Sequence, residues 1–207
     1  MHGRSVPGSG RELLDEFASL IASWEWDVAL LQEVPPWWPA PLAAASGADQ
    51  RLVLTSRNAL GALRRAIAVR RPDLIKSNGG GCNAILVRGV GIEEHRVLRL
   101  AWAPERRWLQ AVRLADGVWV GNVHTGSYAW QGRRAASALR AWAVGAPMVL
   151  GGDFNVVDLS LDGFVLAGAQ GVDQVFAGGD LEPGARPAEV LERGSLSDHA
   201  PVLVTVG

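Results

Sequence analysis

The stretch MVLGGDFN, residues 148–155, joins a short apolar run to two glycines, an aspartate, a phenylalanine and an asparagine. A run of three apolar residues is too short for a helix and is typical of a buried strand. Polar side chains at the end of such a strand are a common way for a rigid scaffold to present a functional site. Taken alone, Asp153 and Asn155 after two glycines more often reflect ordinary turn chemistry. The interpretation therefore depends on whether other strands end in the same way.

Polar clusters end three other short apolar runs in this chain. They are LQE at residues 31–33, GNVHT at residues 121–125 and LSDH at residues 196–199, and a further carboxylate, Asp173, lies in the run GVDQVF at residues 171–176. Carboxylates, amides and imidazoles are the side chains that bind metal ions and move protons. Each cluster alone has an ordinary interpretation, because a Glu at a strand end is usually solvated and Asp-His pairs are common by chance. The functional prediction rests on the order of all five.

The spacing of apolar residues outlines the rest of the fold. Helical periodicity predicts helices over residues 10–24, 59–69 and 130–143. Short apolar runs predict strands over residues 28–31, 51–55, 83–87, 109–114, 118–124, 148–150, 172–176 and 202–206, and Asp116-Gly117 predicts a hairpin. Stretches rich in glycine and proline, such as residues 35–41 and 178–187, are typical of loops. Many strands and few helices predict the α/β class, as a layered sandwich in one domain over residues 1–207, rather than a doubly wound parallel sheet.

Composition narrows the functional classes. The chain has 207 residues, with 20 basic and 21 acidic side chains and a formal net charge of −1. This balance argues against a protein that coats nucleic acid through bulk positive charge, although it permits a local basic groove. The single cysteine, Cys82, excludes an internal disulfide framework, and the chain has no run of about 18–20 apolar residues that would cross a membrane. We therefore expect a cytoplasmic protein with no membrane association and no obligate protein partner.

In this order, Leu-Gln-Glu, a strand that ends in His, Gly-Asp-Phe-Asn and Ser-Asp-His resemble the motifs of the endonuclease/exonuclease/phosphatase superfamily. The superfamily includes pancreatic-type deoxyribonuclease, abasic-site endonucleases, sphingomyelinases and inositol polyphosphate phosphatases. The resemblance runs from about residue 11 to the C-terminus. It implies a four-layer α/β sandwich with two packed mixed β-sheets flanked by helices. It also implies Mg²⁺-dependent hydrolysis of phosphoester bonds, phosphodiesters in particular, by a nuclease- or phosphatase-like enzyme, with Mn²⁺ able to replace Mg²⁺.

The resemblance also assigns roles to residues near the two ends of the chain. Glu33 resembles the family's metal carboxylate, and Asp198 is a second candidate ligand, in keeping with the oxygen ligands that Mg²⁺ prefers. His199 resembles the catalytic imidazole, which either accepts a proton from water or stabilises charge on the phosphoryl group. Asp173 lies where the family has the carboxylate that orients this histidine.

Three further candidates belong to the central strands. The resemblance implies that Asp153 orients or deprotonates the attacking water and that Asn155 donates a hydrogen bond to a phosphoryl oxygen. His124 would contact the phosphate or assist the leaving oxygen. The sequence leaves open which carboxylate carries out which step. It also leaves open the substrate, which is a phosphoester in DNA, RNA, a lipid head group, or a sugar or inositol phosphate.

The N-terminus departs from the family pattern. The family begins with a strand that carries an Asn, followed by a loop into the first helix, and here residues 2–5, HGRS, resemble that loop with no strand in front of them. We expect the fold to lack the usual first strand, and we hypothesise that Met1 is an internal methionine of a chain that begins further upstream. This departure supports an alternative function, a degenerate, non-catalytic family member that binds a phosphorylated ligand.

Other features weigh on the choice of substrate. Glycines stand at residues 79–81, where abasic endonucleases have a tyrosine and basic residues, so a compact phosphodiesterase or phosphatase is favoured over a dedicated DNA-repair enzyme. Five arginines between residues 57 and 71 form either a basic face for an anionic substrate or a solvated helix face. The nine tryptophans are scattered, which is typical of packing in the core and at its rim rather than of a binding platform. A hydrolase of non-phosphate esters is disfavoured, because the sequence has no Gly-x-Ser-x-Gly motif.

Overall fold

The computed structural model describes residues 13–55, 66, 81–103, 105–194, 196, 197 and 199–207. The chain divides into two compact units. The first comprises Met1–Gly89 and Arg193–His199, and the second comprises Val90–Glu192 and Ala200–Gly207. Each unit has its own main sheet and its own buried core.

Over residues 13–55 and 81–89, the first unit contains an antiparallel three-stranded sheet and two helices. The strands are β1 (Val28–Val34), β2 (Ala48–Leu54) and β3 (Cys82–Arg88), in the order β1-β3-β2. Helices α1 (Leu14–Ser23) and α2 (Pro39–Ser46) share a core with this sheet. Leu13, just before α1, and Phe17 and Ile21 on it are buried and recur every four positions, which places them on one side of the helix, toward that core.

The second unit contains a six-stranded mixed sheet, one long helix and a two-stranded ribbon. Its strand order is β4-β5-β6-β7-β9-β8, in which β6 and β7 run parallel and the other neighbours run antiparallel. The strands are β4 (Ile92–Ala101), β5 (Arg107–Leu114), β6 (Trp119–His124), β7 (Met148–Asp153), β8 (Phe164–Gln170) and β9 (Asp173–Gly178), and the ribbon consists of β10 (Glu189–Val190) and β11 (Val202–Leu203).

Helix α3 (Ala129–Ala143) connects β6 to β7 and packs on one face of the six-stranded sheet. Ala135 and Leu139 of the helix lie in one core with Leu109, Val123 and Leu150 of the sheet, and all five are fully buried. Each large apolar side chain buried in this way contributes about 1.5–3 kcal/mol to stability. The apolar residues of β6 and β7 thus fix which face of each strand is directed toward α3.

These elements confirm the predicted α/β sandwich class. The helices predicted over residues 10–24 and 130–143 correspond to α1 and α3, and the predicted hairpin is present, with Gly117 at φ +92° and Asp116 Oδ1 accepting the Val118 N–H at 3.1 Å. Of the two main sheets, the larger is mixed and the smaller is antiparallel within the described residues. The predicted helix over residues 59–69 and the expected lack of a first strand concern positions that lie outside the described residues, apart from Ala66.

Four elements were not predicted from the sequence, namely α2, β4, β8 and β10. Helix α2 begins in a stretch that the prolines marked as a loop, but Pro39 and Pro41 both fall in its first turn, where no intrahelical amide donor is needed. Gly47 then ends the helix in the left-handed conformation at φ +63°. In contrast, the strand predicted over residues 202–206 is shorter than expected, because only Val202 and Leu203 pair with β10.

The single cysteine lies in the core of the first unit. Cys82 is fully buried at the start of β3, and its burial raises the pKa of the thiol to about 12. The thiol therefore stays protonated at neutral pH. Because the thiolate is the nucleophilic form, Cys82 does not serve as a covalent catalyst at neutral pH.

None of the helices in the described ranges is long and apolar enough to cross a membrane.

Candidate active site

Three predicted site residues stand in one row across neighbouring strands of the six-stranded sheet. His124 ends β6, Asp153 ends β7 and Asp173 begins β9. In the strand register His124 is opposite Asp153, and Asp153 is opposite Asp173. Side chains alternate between the two faces of a strand, and Val123, the neighbour of His124, packs in the α3 core. The row therefore lies on the sheet face opposite α3.

Asp153 is the centre of this row. Its side chain and that of His124 are almost fully buried, and Asp153 Oδ2 lies 3.6 Å from His124 Nε2, a separation that forms an ion pair when the imidazole is protonated. A carboxylate oxygen of Asp153 lies within 4.8 Å of one of Asp173. Two carboxylates at this distance repel each other, so the row favours a positive charge beside it.

The loop after β7 holds Asn155 in a fixed position. Its backbone N–H donates to Asp153 Oδ1 at 2.8 Å, and its side-chain Nδ2 donates to the Thr125 carbonyl oxygen at 2.9 Å. Asn155 has a positive φ of +50°, a conformation that asparagine tolerates better than most residues. The Nδ2 group carries two hydrogens, so the bond to Thr125 leaves the second available for a ligand.

Phe154, between Asp153 and Asn155, anchors the loop from the other side. It is 1% exposed and packs edge-on against Phe176 of β9, with ring centroids 5.4 Å apart. Because Phe154 belongs to the α3 core, the polar residues on each side of it are tied to a rigid part of the unit.

Gly152 is required by the close approach of β6 and β7. Its φ is +134°, and a Cβ at this position would lie 2.1 Å from the Val123 carbonyl oxygen. No heavy atom fits at that distance, so any side chain at residue 152 would push the two strands apart. Those strands carry His124 and Asp153, which gives the second glycine of the Gly-Gly-Asp motif a structural role.

We expect Gly152→Ala to destabilise the protein far more than Gly145→Ala. Gly145 also has a positive φ, +86°, but a Cβ there would meet nothing within 4 Å. Gly145→Ala, the control, should lower the free energy of unfolding by about 1–2 kcal/mol, because alanine is strained in the left-handed conformation. Gly152→Ala adds a clash with the backbone and should lower the free energy of unfolding by at least about twice as much. Urea denaturation of both variants measures the difference, and equal losses would contradict the role assigned to Gly152.

Three polar side chains that the sequence analysis missed hold the loops around the row. Thr125 Oγ1 donates to the Phe154 carbonyl oxygen at 2.5 Å, and Gln131 Oε1 accepts the Gly126 N–H at 2.8 Å. Gln174, 2% exposed, bonds through both ends of its amide to the loop after Asn155, at Val156 and Leu159. Thr125 and Gln174 directly follow His124 and Asp173 in sequence, and that adjacency was the available signal.

Glu33 occupies a bulge in the sheet of the first unit. Leu31 pairs with Ala84 and Val34 pairs with Cys82, so β1 has one more residue than β3 between these two pairs. Glu33 is half-buried and has a φ of +54°, which is uncommon for a glutamate. A bulge with a left-handed residue re-aims a side chain and is frequent beside functional sites.

His199 ends the C-terminal segment of the first unit. Its backbone N–H donates to Ser197 Oγ at 3.2 Å, and Ser197, 2% exposed, accepts a hydrogen bond from Arg193 Nη1 at its carbonyl oxygen. The imidazole-bearing residue is half-buried. Asp198, between these two residues, lies outside the described residues. The structure thus groups His124, Asp153, Asn155 and Asp173 in the second unit, whereas Glu33 and His199 belong to the first.

A sequence model of the Endonuclease/Exonuclease/phosphatase family matches residues 7–199. The chain belongs to this family. The match confirms the resemblance that the motifs indicated, and it covers most of the chain, including all seven predicted site residues. None of the curated proteins compared with the chain matches it.

Solved structures of low sequence identity share this family's fold. The endonuclease/exonuclease/phosphatase from Bacteroides vulgatus is 16% identical with a TM-score of 0.68, and the match covers 94% of this chain and 89% of that one. Truncated TDP2 from Caenorhabditis elegans is 19% identical with a TM-score of 0.61, over 94% of this chain and 91% of that one. A functionally unknown conserved protein from Enterococcus faecalis is 15% identical with a TM-score of 0.67, over 100% and 97%. At these identities the similarity shows the fold alone.

Proposed function

We propose that this chain is a metal-dependent phosphoric ester hydrolase that cleaves phosphodiester bonds with water. The observation that carries the proposal is the row of His124, Asp153 and Asp173, with Asn155 held beside it. Two carboxylates, an imidazole and an amide are the groups needed to activate water and to bind a phosphoryl group. Membership of a family named for nucleases and phosphatases supports this reaction class. We place the enzyme in the cytoplasm, where a chain with one cysteine needs no disulfide.

Glu33 and Asp198 are the residues that we propose would hold Mg²⁺. The donor chemistry fits, because Mg²⁺ binds carboxylate oxygens. The strained conformation of Glu33, a half-buried carboxylate at φ +54°, also fits a functional role, because such strain persists where the site uses it. When bound, Mg²⁺ would supply positive charge that stabilises the charge developing on the phosphoryl and leaving oxygens.

In the proposed reaction, water attacks phosphorus and the bond between phosphorus and one ester oxygen breaks. Asp153 orients the water, and either Asp153 or His199 accepts its proton. The second Nδ2 hydrogen of Asn155 is available for a phosphoryl oxygen, because the first is used on Thr125. Asn155 therefore contributes a preorganised donor rather than a mobile one.

His124 completes the proton balance. Its Nε2 lies 3.6 Å from Asp153 Oδ2, so the two groups form an ion pair when the imidazole is protonated. We propose that His124 donates to the leaving ester oxygen or to a phosphoryl oxygen next to it. We also propose that residues 1–207 form a single endonuclease/exonuclease/phosphatase-like domain.

Removal of divalent metal is expected to abolish activity. We expect the purified chain to hydrolyse bis(p-nitrophenyl) phosphate with Mg²⁺ or Mn²⁺, to fall to background in excess EDTA, and to recover when Mg²⁺ is added back. Glu33→Gln should raise the Mg²⁺ concentration needed for half-maximal rate by about tenfold or more, because the loss of a carboxylate ligand weakens Mg²⁺ binding. Release of p-nitrophenol measures each step.

Turnover that persists in excess EDTA would contradict the metal requirement. If the chain hydrolysed neither this substrate nor a panel of nucleic acids, phospholipid head groups and sugar phosphates, yet bound one of them, the alternative of a non-catalytic phosphate-binding member would replace the proposal.

A further inference from the structure

Arg99 is sandwiched between two tryptophans at the edge of the six-stranded sheet. Its guanidinium carbon lies 3.4 Å from the ring centroid of Trp102 and 4.6 Å from that of Trp108. Arg99 lies on β4, Trp108 lies on β5, and Trp102 follows the last residue of β4. We refer to these three residues as the Trp102 stack.

The Trp102 stack presents an aromatic surface to solvent. Trp102 is 70% exposed, the largest exposed fraction among the exposed aromatic residues in the described ranges. The guanidinium beneath it fixes the indole by a cation–π contact, so the ring is held in place although most of its surface is open. A rigid exposed indole is suited to stacking on a planar ligand.

The charge of the Trp102 stack favours an anionic ligand. In the described part of the chain, Arg99 has no carboxylate within 4.0 Å, and its Nε is buried without a hydrogen-bond partner. Nearby, Glu105 is paired with Arg107 at 3.0 Å instead. An aromatic surface backed by a guanidinium that pairs with no carboxylate of the described residues matches a ligand that combines a planar ring with negative charge.

The Trp102 stack lies in line with the catalytic row. Arg99 is opposite Trp108 in the strand register, and continuing the Leu109–Val123 pairing by one residue places Trp108 beside His124 on the neighbouring strand. His124 is in turn opposite Asp153. Neighbouring strands are about 4.8 Å apart, so the backbone of Trp108 is roughly 10 Å from that of Asp153. Leu98 and Leu109 face the α3 core, so Arg99 and Trp108 lie on the same sheet face as the row.

We propose that the Trp102 stack binds an unpaired nucleobase of a single-stranded nucleic acid whose phosphodiester is cleaved at the row. This inference rests on the proposed function and adds a substrate class to it. Aromatic and arginine planes stack on bases of any sequence, and only an unpaired base exposes its face to them. The backbone of Trp108 is roughly 10 Å from that of Asp153, and Trp102 lies beyond Trp108 after the end of β4, so the bound base would be a few nucleotides from the cleaved phosphate. Binding through stacking also agrees with a net charge of −1, because it needs little bulk positive charge.

The test measures binding and cleavage separately. Anisotropy of a fluorescent single-stranded oligonucleotide, in EDTA to prevent cleavage, gives the affinity of each variant. We expect Trp102→Ala to weaken binding about 5- to 100-fold, the range found when one stacked aromatic is removed, and Trp102→Phe to retain most of it. Trp130→Ala is the matched control, because Trp130 is 49% exposed but lies on α3, and it should bind as the unmodified chain does.

An oligonucleotide with abasic positions separates base stacking from phosphate contacts. The unmodified chain should bind this probe as weakly as Trp102→Ala binds the complete oligonucleotide, and Trp102→Ala should bind both probes alike. The inference is overturned if the unmodified chain binds no single strand, or if Trp102→Ala or the abasic probe leaves affinity unchanged.

Cleavage of a fully abasic oligonucleotide with Mg²⁺ distinguishes the two proposals, because this substrate has phosphodiester bonds but no aromatic ring that could stack on Trp102. Trp102→Ala should retain the unmodified rate on this substrate. If the chain hydrolyses this substrate but binds oligonucleotides without using Trp102, the proposed function stands and the inference about the base site is wrong. If the chain binds bases through Trp102 but hydrolyses no phosphoester, the base site stands and the proposed function is wrong.

Discussion

Replacing Asp153 with Asn is expected to lower kcat/KM for phosphodiester hydrolysis about a thousandfold, within the range of a lost general base. The amide has nearly the same shape as the carboxylate, and its Oδ1 can still accept the Asn155 N–H that Asp153 accepts at 2.8 Å. What the substitution removes is the negative charge opposite Asp173 and 3.6 Å from His124 Nε2. Initial rates on bis(p-nitrophenyl) phosphate at saturating Mg²⁺ measure the loss.

Two further variants separate charge from position. Asp153→Ala removes both the charge and the turn that holds Asn155, so it should be at least as impaired as Asp153→Asn and less stable to urea. Asp180→Asn makes the same chemical change at an exposed turn of the second unit and should retain full activity. If Asp153→Asn kept more than about a tenth of the unmodified rate, the carboxylate would not be part of the chemistry.

Strand ends explain why much of the site could be predicted. An apolar run followed by His124, and another followed by Asp153, enclose a helical segment, which is the pattern of two parallel strands joined by a crossover helix. The carboxyl ends of such strands meet at one edge of the sheet. The order of the motifs therefore predicted a shared site. Strand β9 pairs antiparallel with β7 and so brings Asp173 to the same edge. This pairing is a tertiary contact, which the local sequence pattern does not reveal.

Edge strands and proline positions explain most of what the sequence analysis missed. The first half of strand β4 is a run of polar residues, Glu93 to Arg96, and an exposed edge strand tolerates this where an interior strand would not. His95, in this run, is exposed to solvent. The prolines of α2 were interpreted as a loop signal, but Pro39 and Pro41 fall in the first turn of the helix, and Leu42 packs into the first core.

Backbone conformation is the part of the site that residue types do not reveal. Glu33 and Asn155 both have φ near +50°, yet nothing in their sequence neighbours distinguishes them from extended residues. Such strain is maintained by surrounding structure, here the bulge in β1 and the bonds from Asn155 to Asp153 and Thr125. Local sequence rules are therefore expected to fail first at functional positions.

The tryptophans also differ in how well the sequence predicts their role, because some lie in a core and one is exposed at the proposed base site. Trp38 and Trp119 are 3% exposed and confirm the prediction that tryptophans serve packing. Trp102 does not follow it, because its ring is 70% exposed and rests on Arg99. Since Arg99 and Trp102 are three residues apart across the end of β4, their stacking depends on where that unpredicted strand ends.

Replacing His199 with Ala is expected to lower kcat about 10²–10⁴-fold, the contribution of a positioned imidazole that accepts a proton or stabilises phosphoryl charge. The backbone N–H of residue 199, which bonds to Ser197 Oγ at 3.2 Å, is retained in the variant. The local fold should therefore survive, and circular dichroism together with urea denaturation verifies this. Initial rates on bis(p-nitrophenyl) phosphate with Mg²⁺ measure the effect.

Added imidazole distinguishes a chemical role of His199 from a structural one. If the missing ring took part in proton transfer or charge stabilisation, imidazole in the buffer should restore part of the activity of His199→Ala and leave the unmodified enzyme unchanged. His95→Ala is the matched control, because His95 is an exposed histidine on β4, and it should retain full activity with no response to imidazole. A His199→Ala variant with undiminished kcat would remove the imidazole from the mechanism, and proton transfer from water would then fall to Asp153 alone.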